Sequence, residues 1–273
     1  MLANRTAVIY GGGGAIGGAV ARAFAGAGAR VHLAGRTRAR LEKVANEIGD
    51  AVGVAEVDAL DERAIAEHAD AVAADAGGID IALNAVSFPF VHDTPFAELA
   101  VEEVMRPVYA FLRTNLITTK AVARHMTARR SGTILTLSSG ASRVVPPGSL
   151  GYGTACAAIE TMTQRLAVEL GPSGVRIACL RPHLIADAPS NGSTTGELFG
   201  RRAAAAGVSV EQWLVQRAQD VTLLGRPPAL AQVADAAVFL ASDRAAAITG
   251  AVLDLTCGNA VRTDAGALVG VLD

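Results

Sequence analysis

Lysine is nearly absent from this chain. Only Lys43 and Lys120 occur in 273 residues, so most of the positive charge is arginine. Cysteine is scarce too. Cys156, Cys179 and Cys257 show no C-x-x-C spacing, which predicts reduced thiols and a cytoplasmic protein rather than a disulfide framework. No charge excess exists: the net charge is -2 and the isoelectric point about 6.2, so no nucleic-acid surface is advertised. No strongly apolar run is long enough for a bilayer. The stretch from Gly11 to Ala29 is built of Gly and Ala and is interrupted by Arg22, and the positive mean hydropathy comes largely from alanine. The start, Met1 to Arg5, leads straight into an apolar run, so no signal peptide is expected. The five histidines show no metal-ligand spacing, and neither a P-loop lysine nor a Gly-x-Ser-x-Gly elbow is present.

What is present is alternation. Strand patterns fall at Thr6–Tyr10, Arg30–Ala34, Ala51–Val57, Asp80–Asn84, Thr133–Ser138, Val175–Leu180 and Ala251–Leu255. Helical patterns fall between them, at Ala15–Gly28, Thr37–Ile48, Asp61–Ala76, Phe96–Arg130 with a disturbance at Pro107, Gly151–Leu170 and Ala229–Ala241. Strand and helix taking turns at this spacing predicts an α/β fold, a doubly wound parallel sheet of Rossmann type in a single domain over 1–273. Hydrophobic residues at 51% with 29 glycines fit a sheet buried on both faces. Residues 188–226 break the alternation. They lie after the sixth strand, beyond the strand ends where such sheets bind ligands, and read as a substrate lid with Trp213 in a helical patch.

The first strand runs into Tyr10-Gly11-Gly12-Gly13-Gly14-Ala15-Ile16-Gly17. A glycine-rich turn between strand and helix lets the backbone approach a pyrophosphate, and the helix N-terminus adds free N–H groups and a positive dipole end. Further along stand Asp58-Ala59, Asn84-Ala85-Val86-Ser87, Asn115 after Thr114, Ser139 after Ser138, Tyr152 thirteen residues later, Arg181-Pro182-His183, and Ile248-Thr249-Gly250 before the last strand. With these motifs in this order the chain resembles the short-chain dehydrogenase/reductase family over nearly its whole length.

The resemblance implies hydride transfer between a nicotinamide and a carbonyl or alcohol carbon. It implies Tyr152 as general acid/base, Ser139 as the anchor of the reacting oxygen and Asn115 as the holder of a water in the proton path. It implies cofactor contacts at Gly11, Gly13, Gly14, Ile16, Gly17, Asp58, Ala59, Asn84, Ala85, Cys156 and Pro182. It also implies a homodimer or homotetramer, and the Ala-rich helices 114–130 and 151–170 have small faces that allow close approach. Two residues after the second strand, Arg36 and Thr37, bear on cofactor choice. No carboxylate stands there to hold an NAD ribose, and Arg36 offers a fork of donors to a 2′-phosphate, with Arg38 adding charge, so NADP(H) is expected over NAD.

The chain departs from the family at several points. Ala15 replaces the middle glycine, where a methyl would crowd the pyrophosphate slightly, and His183 stands where the family has Gly. The family's lysine, four residues after the tyrosine, is Cys156. That lysine bonds the nicotinamide ribose and lowers the tyrosine pKa, and cysteine does neither. Three readings stay open: redox chemistry without the lysine, with Arg143 or His183 as substitute groups; a non-redox enzyme (cyclase, isomerase or dehalogenase-like) using Ser139 and Tyr152; and a cofactor-binding protein with little catalysis. Halohydrin dehalogenases, relatives with a Ser–Tyr–Arg set, lack the nucleotide pocket, and this chain has no arginine at the matching position. His92, Phe88, Phe90 and Trp213 are candidates for the substrate wall, while His68 and His125 read as helix-surface residues.

Overall fold

The computed structural model of the chain describes residues 1–49, 52–144 and 148–261. Seven strands form one parallel sheet: β1 (Thr6–Tyr10), β2 (Arg30–Gly35), β3 (Val52–Glu56), β4 (Ile81–Asn84), β5 (Gly132–Leu137), β6 (Val175–Pro182) and β7 (Val252–Leu255). Their order is β3-β2-β1-β4-β5-β6-β7, so the chain reverses direction across the sheet between β1 and β4. A crevice opens at such a switch point beyond the strand C-termini. The strand expected over Ala51–Val57 is described from Val52, and Ala51 lies outside the described residues.

The helices are α1 (Ala15–Gly26), α2 (Arg38–Ile48), α3 (Glu62–Ala76), α4 (Val101–Arg129), α5 (Leu150–Leu170), α6 (Gly196–Ala205), α7 (Val210–Val221) and α8 (Leu230–Ala241). One apolar cluster joins α1 and α8 to one face of the sheet through Val20, Phe24, Leu33, Val233 and Leu240. A second joins α3 and α4 to the other face through Tyr10, Ile65, Val122, Met126 and Ile134. The central strands are sealed on both faces, which is why they read as continuous apolar runs. Asp80 pins the start of this layer. Its carboxylate accepts the Thr6 N–H at 2.8 Å and a guanidinium N–H of Arg129 at 3.1 Å.

The helix expected over Phe96–Arg130 is divided. A short 3₁₀ turn at Phe96–Glu98 ends at Leu99, and α4 starts at Val101, where the Glu103 carboxylate accepts the Ala100 N–H at 3.0 Å. Pro107 does not break α4. It is buried against α5, where a Cβ on Gly151 would come 3.0 Å from its ring and 2.7 Å from the Val104 carbonyl. Gly151 thus lets the first turn of α5 sit directly on α4. The stretch 188–226 folds into α6 and α7, packed on each other between β6 and α8.

Two surface assignments are corrected. His68 turns inward from α3, edge-on to the Tyr10 ring with centroids 5.7 Å apart, because it follows Ile65 by one turn on the buried face. Burial lowers its pKa to about 4. His125 is half-buried, with Nε2 2.9 Å from Asp70 Oδ1.

Candidate active site

The glycine turn closes on itself and on β4. Gly11 has φ +81°, and its N–H donates to the Ala34 carbonyl at 2.8 Å. A Cβ on Gly11 would lie 2.5 Å from the Ala85 carbonyl oxygen, and one on Gly17 would collide with the Gly11 carbonyl. A Cβ on Gly13 would lie 2.9 Å from Arg40 Cβ. No side chain caps α1 at Gly14, and its first turn holds no acidic residue. The first-turn N–H groups are therefore open to an anion, and Gly14, Ala15 and Ile16 line a cavity. Ala15 is buried and packs with the α1–α8 core. These features fit a dinucleotide pyrophosphate.

Two cavities meet at this turn. The smaller, about 140 Å³, lies over the ends of β1 and β2 and is lined by Gly11, Gly13, Arg36, Thr37, Arg40 and Ala59, among others. Among the described residues no carboxylate lines it. Arg40 was not anticipated from sequence; it stands on the first turn of α2, at the spacing that faces back toward the strand end. Arg38 instead bonds Glu42 one turn on at 2.8 Å and adds no charge to this pocket. Arg36 lies 5.9 Å from the Phe88 ring centroid. Asp58 is exposed, accepts the Leu60 N–H at 3.0 Å and lies outside both cavity walls, whereas Ala59 is buried. Asn84 is buried and holds the β4 turn, donating to Thr118 Oγ1 at 2.9 Å and accepting the Val86 N–H at 3.1 Å. Ala85 lines both cavities.

The larger cavity, about 740 Å³, runs from Gly14 and Ile16 past Pro182 to Ser139 and Tyr152, and is roofed by Leu198, Phe199, Trp213 and Val221 of α6 and α7. Tyr152 sits in the first turn of α5. Phe90 stacks on its ring at 3.9 Å and 5°. Burial pushes the Tyr152 phenol well above 10, Cys156 pushes it the same way, and a hydrogen bond with Ser139 only partly opposes them. Cys156, one turn on, is 2% exposed and touches the Tyr152 hydroxyl and the Ser139 backbone. Burial pushes its thiol up to about 12, so it is neutral and poorly nucleophilic. Asn115 is buried in α4. Its Nδ2 donates to the Phe111 carbonyl at 2.9 Å, while its Oδ1 has no partner among the described residues.

One turn beyond Cys156 lies a feature the sequence did not disclose. Glu160, 6% exposed, accepts from Ser138 Oγ at 2.8 Å, Ser142 Oγ at 2.6 Å, and Arg181 Nε and Nη2 at 2.7 and 2.6 Å. Arg181 also donates to Asp254 at 3.2 Å. Burial pushes Glu160 up, but the hydrogen bonds from Arg181, Ser142 and Ser138 outweigh it and leave the carboxyl below its ordinary range. This pair ties α5 to the ends of β5, β6 and β7 and brackets the Ser139 turn.

Two candidate groups fall elsewhere. Arg143 does not line the cavity. It is 60% exposed and leans toward Glu160 at 3.8 Å, drawn by the buried carboxylate. Phe88 packs edge-on against Phe111 at 5.5 Å in the layer beneath rather than forming the wall. Phe90, His92, Trp213 and His183 do line the cavity.

A family model described as enoyl-(acyl carrier protein) reductase matches residues 13–259. The chain belongs to the short-chain dehydrogenase/reductase family. This is a family of oxidoreductases that use nicotinamide cofactors. Galactitol 2-dehydrogenase (L-tagatose-forming) of Cereibacter sphaeroides is 33% identical over 263 residues, covering 93% of this chain and 94% of that one. A 3-oxoacyl-(acyl-carrier-protein) reductase of Chlamydia trachomatis is 28% identical over 264 residues, covering 95% and 99%. Among solved structures, the 3-ketoacyl-(acyl-carrier-protein) reductase of Brucella melitensis complexed with NADH superposes with a TM-score of 0.80 at 25% identity, covering 95% of this chain and all of that one. Among the described residues no helix is long and apolar enough to cross a membrane.

Proposed function

We propose that this family member is an NADP(H)-dependent oxidoreductase that interconverts a carbonyl and an alcohol, and that it is poised for the reductive direction. One observation carries the reading: a single cavity has the uncapped start of α1 at one end and the Ser139–Tyr152 pair at the other. Bound NADPH supplies the hydride. Ser139 then holds the carbonyl oxygen, and the neutral Tyr152 phenol gives that oxygen its proton as negative charge develops. A phenol held well above 10 is protonated throughout the physiological range, so it stands ready as an acid. Working as a base for alcohol oxidation requires alkaline pH. Asn115 Oδ1, buried and without a partner among the described residues, suits a water that resupplies the proton. Pro182 and Cys156 would border the nicotinamide end, and α6 and α7 would act as the lid.

The preference for the phosphorylated cofactor rests on Arg36, Thr37 and Arg40 around a pocket without carboxylates. Retention of this pocket weakens the dehalogenase-like reading. The test is a fluorescence titration with NADPH and NADH. Tight NADPH and weak NADH binding is expected, with Arg36→Ala erasing most of the difference. Equal affinities contradict the cofactor assignment, and no binding of either redirects the search to non-redox chemistry at Ser139 and Tyr152. We also propose a homodimer or homotetramer built on α4 and α5, whose outer faces expose Met105, Tyr109, Leu116 and Val168. A monomer in sedimentation velocity overturns that.

A further inference from the structure

His183 is a polar side chain of the large cavity that neither the fold nor the chemistry above employs. It follows Pro182 at the end of β6, on the edge of the sheet where the reacting groups gather. Its ring is fixed against the turn that carries Ser139. A Cβ on Gly140 would come 2.7 Å from His183 Cγ and 3.0 Å from Nδ1, so the missing side chain at 140 is the space the imidazole fills. The ring makes no hydrogen bond to any described residue. Burial, then Arg217, lowers its pKa to about 4, with Asp254 opposing, so near neutral pH it is uncharged. A neutral imidazole has one donor and one acceptor. Lodged in a cavity and held in place by packing, with no hydrogen-bond partner among the described residues, the ring has both nitrogens available to a ligand or water.

Resting on the carbonyl–alcohol reading above, we infer that His183 is a specificity residue that hydrogen-bonds an oxygen on the carbon next to the reacting carbonyl, so that the site selects α-hydroxy ketones over plain ketones. Packing sets the place. Ser139 and Tyr152 would hold the reacting oxygen, and His183 packs on Gly140, the residue after Ser139, and lines the same cavity, which puts its ring beside the neighbouring substrate position. The aromatic roof of Phe199 and Trp213 then takes the remainder of the substrate, an apolar ring or chain.

The experiment uses a matched pair: 2-hydroxy-1-phenylethanone and 1-phenylethanone, which differ by one hydroxyl. Each is reduced with NADPH by the full chain, by His183→Phe, which keeps the packing, and by His183→Asn, which keeps a donor and an acceptor. The intact protein is expected to favour the hydroxy ketone by about 10-fold or more in kcat/KM, chiefly through KM. H183F should erase the preference by losing the hydroxy ketone alone, and H183N should restore part of it. Equal turnover of both ketones by the intact protein, or a preference that survives H183F, overturns the inference while leaving the oxidoreductase reading intact. Should neither ketone turn over, binding is read in place of turnover, and the oxidoreductase reading stays with the cofactor titration above. The inference is then decided by ¹⁵N-histidine NMR with NADP⁺ present. The resonances missing in H183F should shift with the hydroxy ketone and not with 1-phenylethanone, and resonances that move equally or not at all overturn it.

Discussion

Tyr152 and Glu160 lie two turns apart on one face of α5, and their surroundings move their pKa values in opposite directions. Around Tyr152 the neighbours are the Phe90 ring, a neutral thiol and one serine hydroxyl, and burial wins: the phenol keeps its proton. Around Glu160 two serines and a two-pronged guanidinium outweigh burial, and the carboxyl is held below its ordinary range. Burial raises both groups; the donors aimed at each decide which way it moves from its ordinary value. Cys156 is the hinge of the comparison. It stands between the two residues and supplies neither a strong donor nor a charge to Tyr152. The buried guanidinium of Arg181 sits on the carboxylate instead, leaving the phenol as an acid.

The comparison can be broken at either end. Removing the phenol should have the largest effect. Tyr152→Phe is expected to lower kcat/KM for carbonyl reduction by about 10²–10⁴-fold while leaving the thermal midpoint near its original value, because the ring still stacks on Phe90. A variant that keeps full activity removes Tyr152 from the chemistry. At the other end, Glu160→Leu strands the Arg181 guanidinium in the interior, and breaking one partner of such a pair costs about 3–5 kcal/mol, at the lower end here because Asp254 still receives Arg181. Urea melts at neutral pH read that loss directly. The sign follows from linkage. The folded-state pKa of Glu160 is depressed, so its stabilisation is present above the ordinary carboxylate pKa and disappears as pH falls through the depressed one. The gap between the intact chain and E160L should accordingly narrow in acid, and a gap that widens contradicts the charge assignment. Cys156→Lys sharpens the comparison by giving Tyr152 the kind of partner Glu160 enjoys. A cation at that distance lowers a neighbouring acid by about 1–3 pH units.

Much of this was legible in the chain. The seven strands and the glycine turn follow from periodicity and local motif, the Ser139–Tyr152 pair from the family resemblance, and the structure brings Gly14, Ser139 and Tyr152 to one cavity. The Glu160–Arg181 pair was not legible, because a Glu in one helix and an Arg 21 positions on at a strand end carry no sequence sign that they meet in the interior. The available signal was the i, i+4, i+8 alignment of Tyr152, Cys156 and Glu160 on one helical face. Arg143 and Phe88 went elsewhere for reasons of partnership: a buried carboxylate drew one and the Phe111 ring the other. Pro107 was misjudged as a disturbance because the space that accepts it is made by Gly151, 44 positions away.

The most direct test of the account is the pH profile of alcohol oxidation with NADP⁺, run on the intact protein and on C156K. The account predicts a rate that keeps rising through pH 10 in the intact protein, and a C156K rise displaced to lower pH by about 1–3 units. A profile flat from pH 6 to 10 in the intact protein would contradict a neutral Tyr152 as the group that carries the proton.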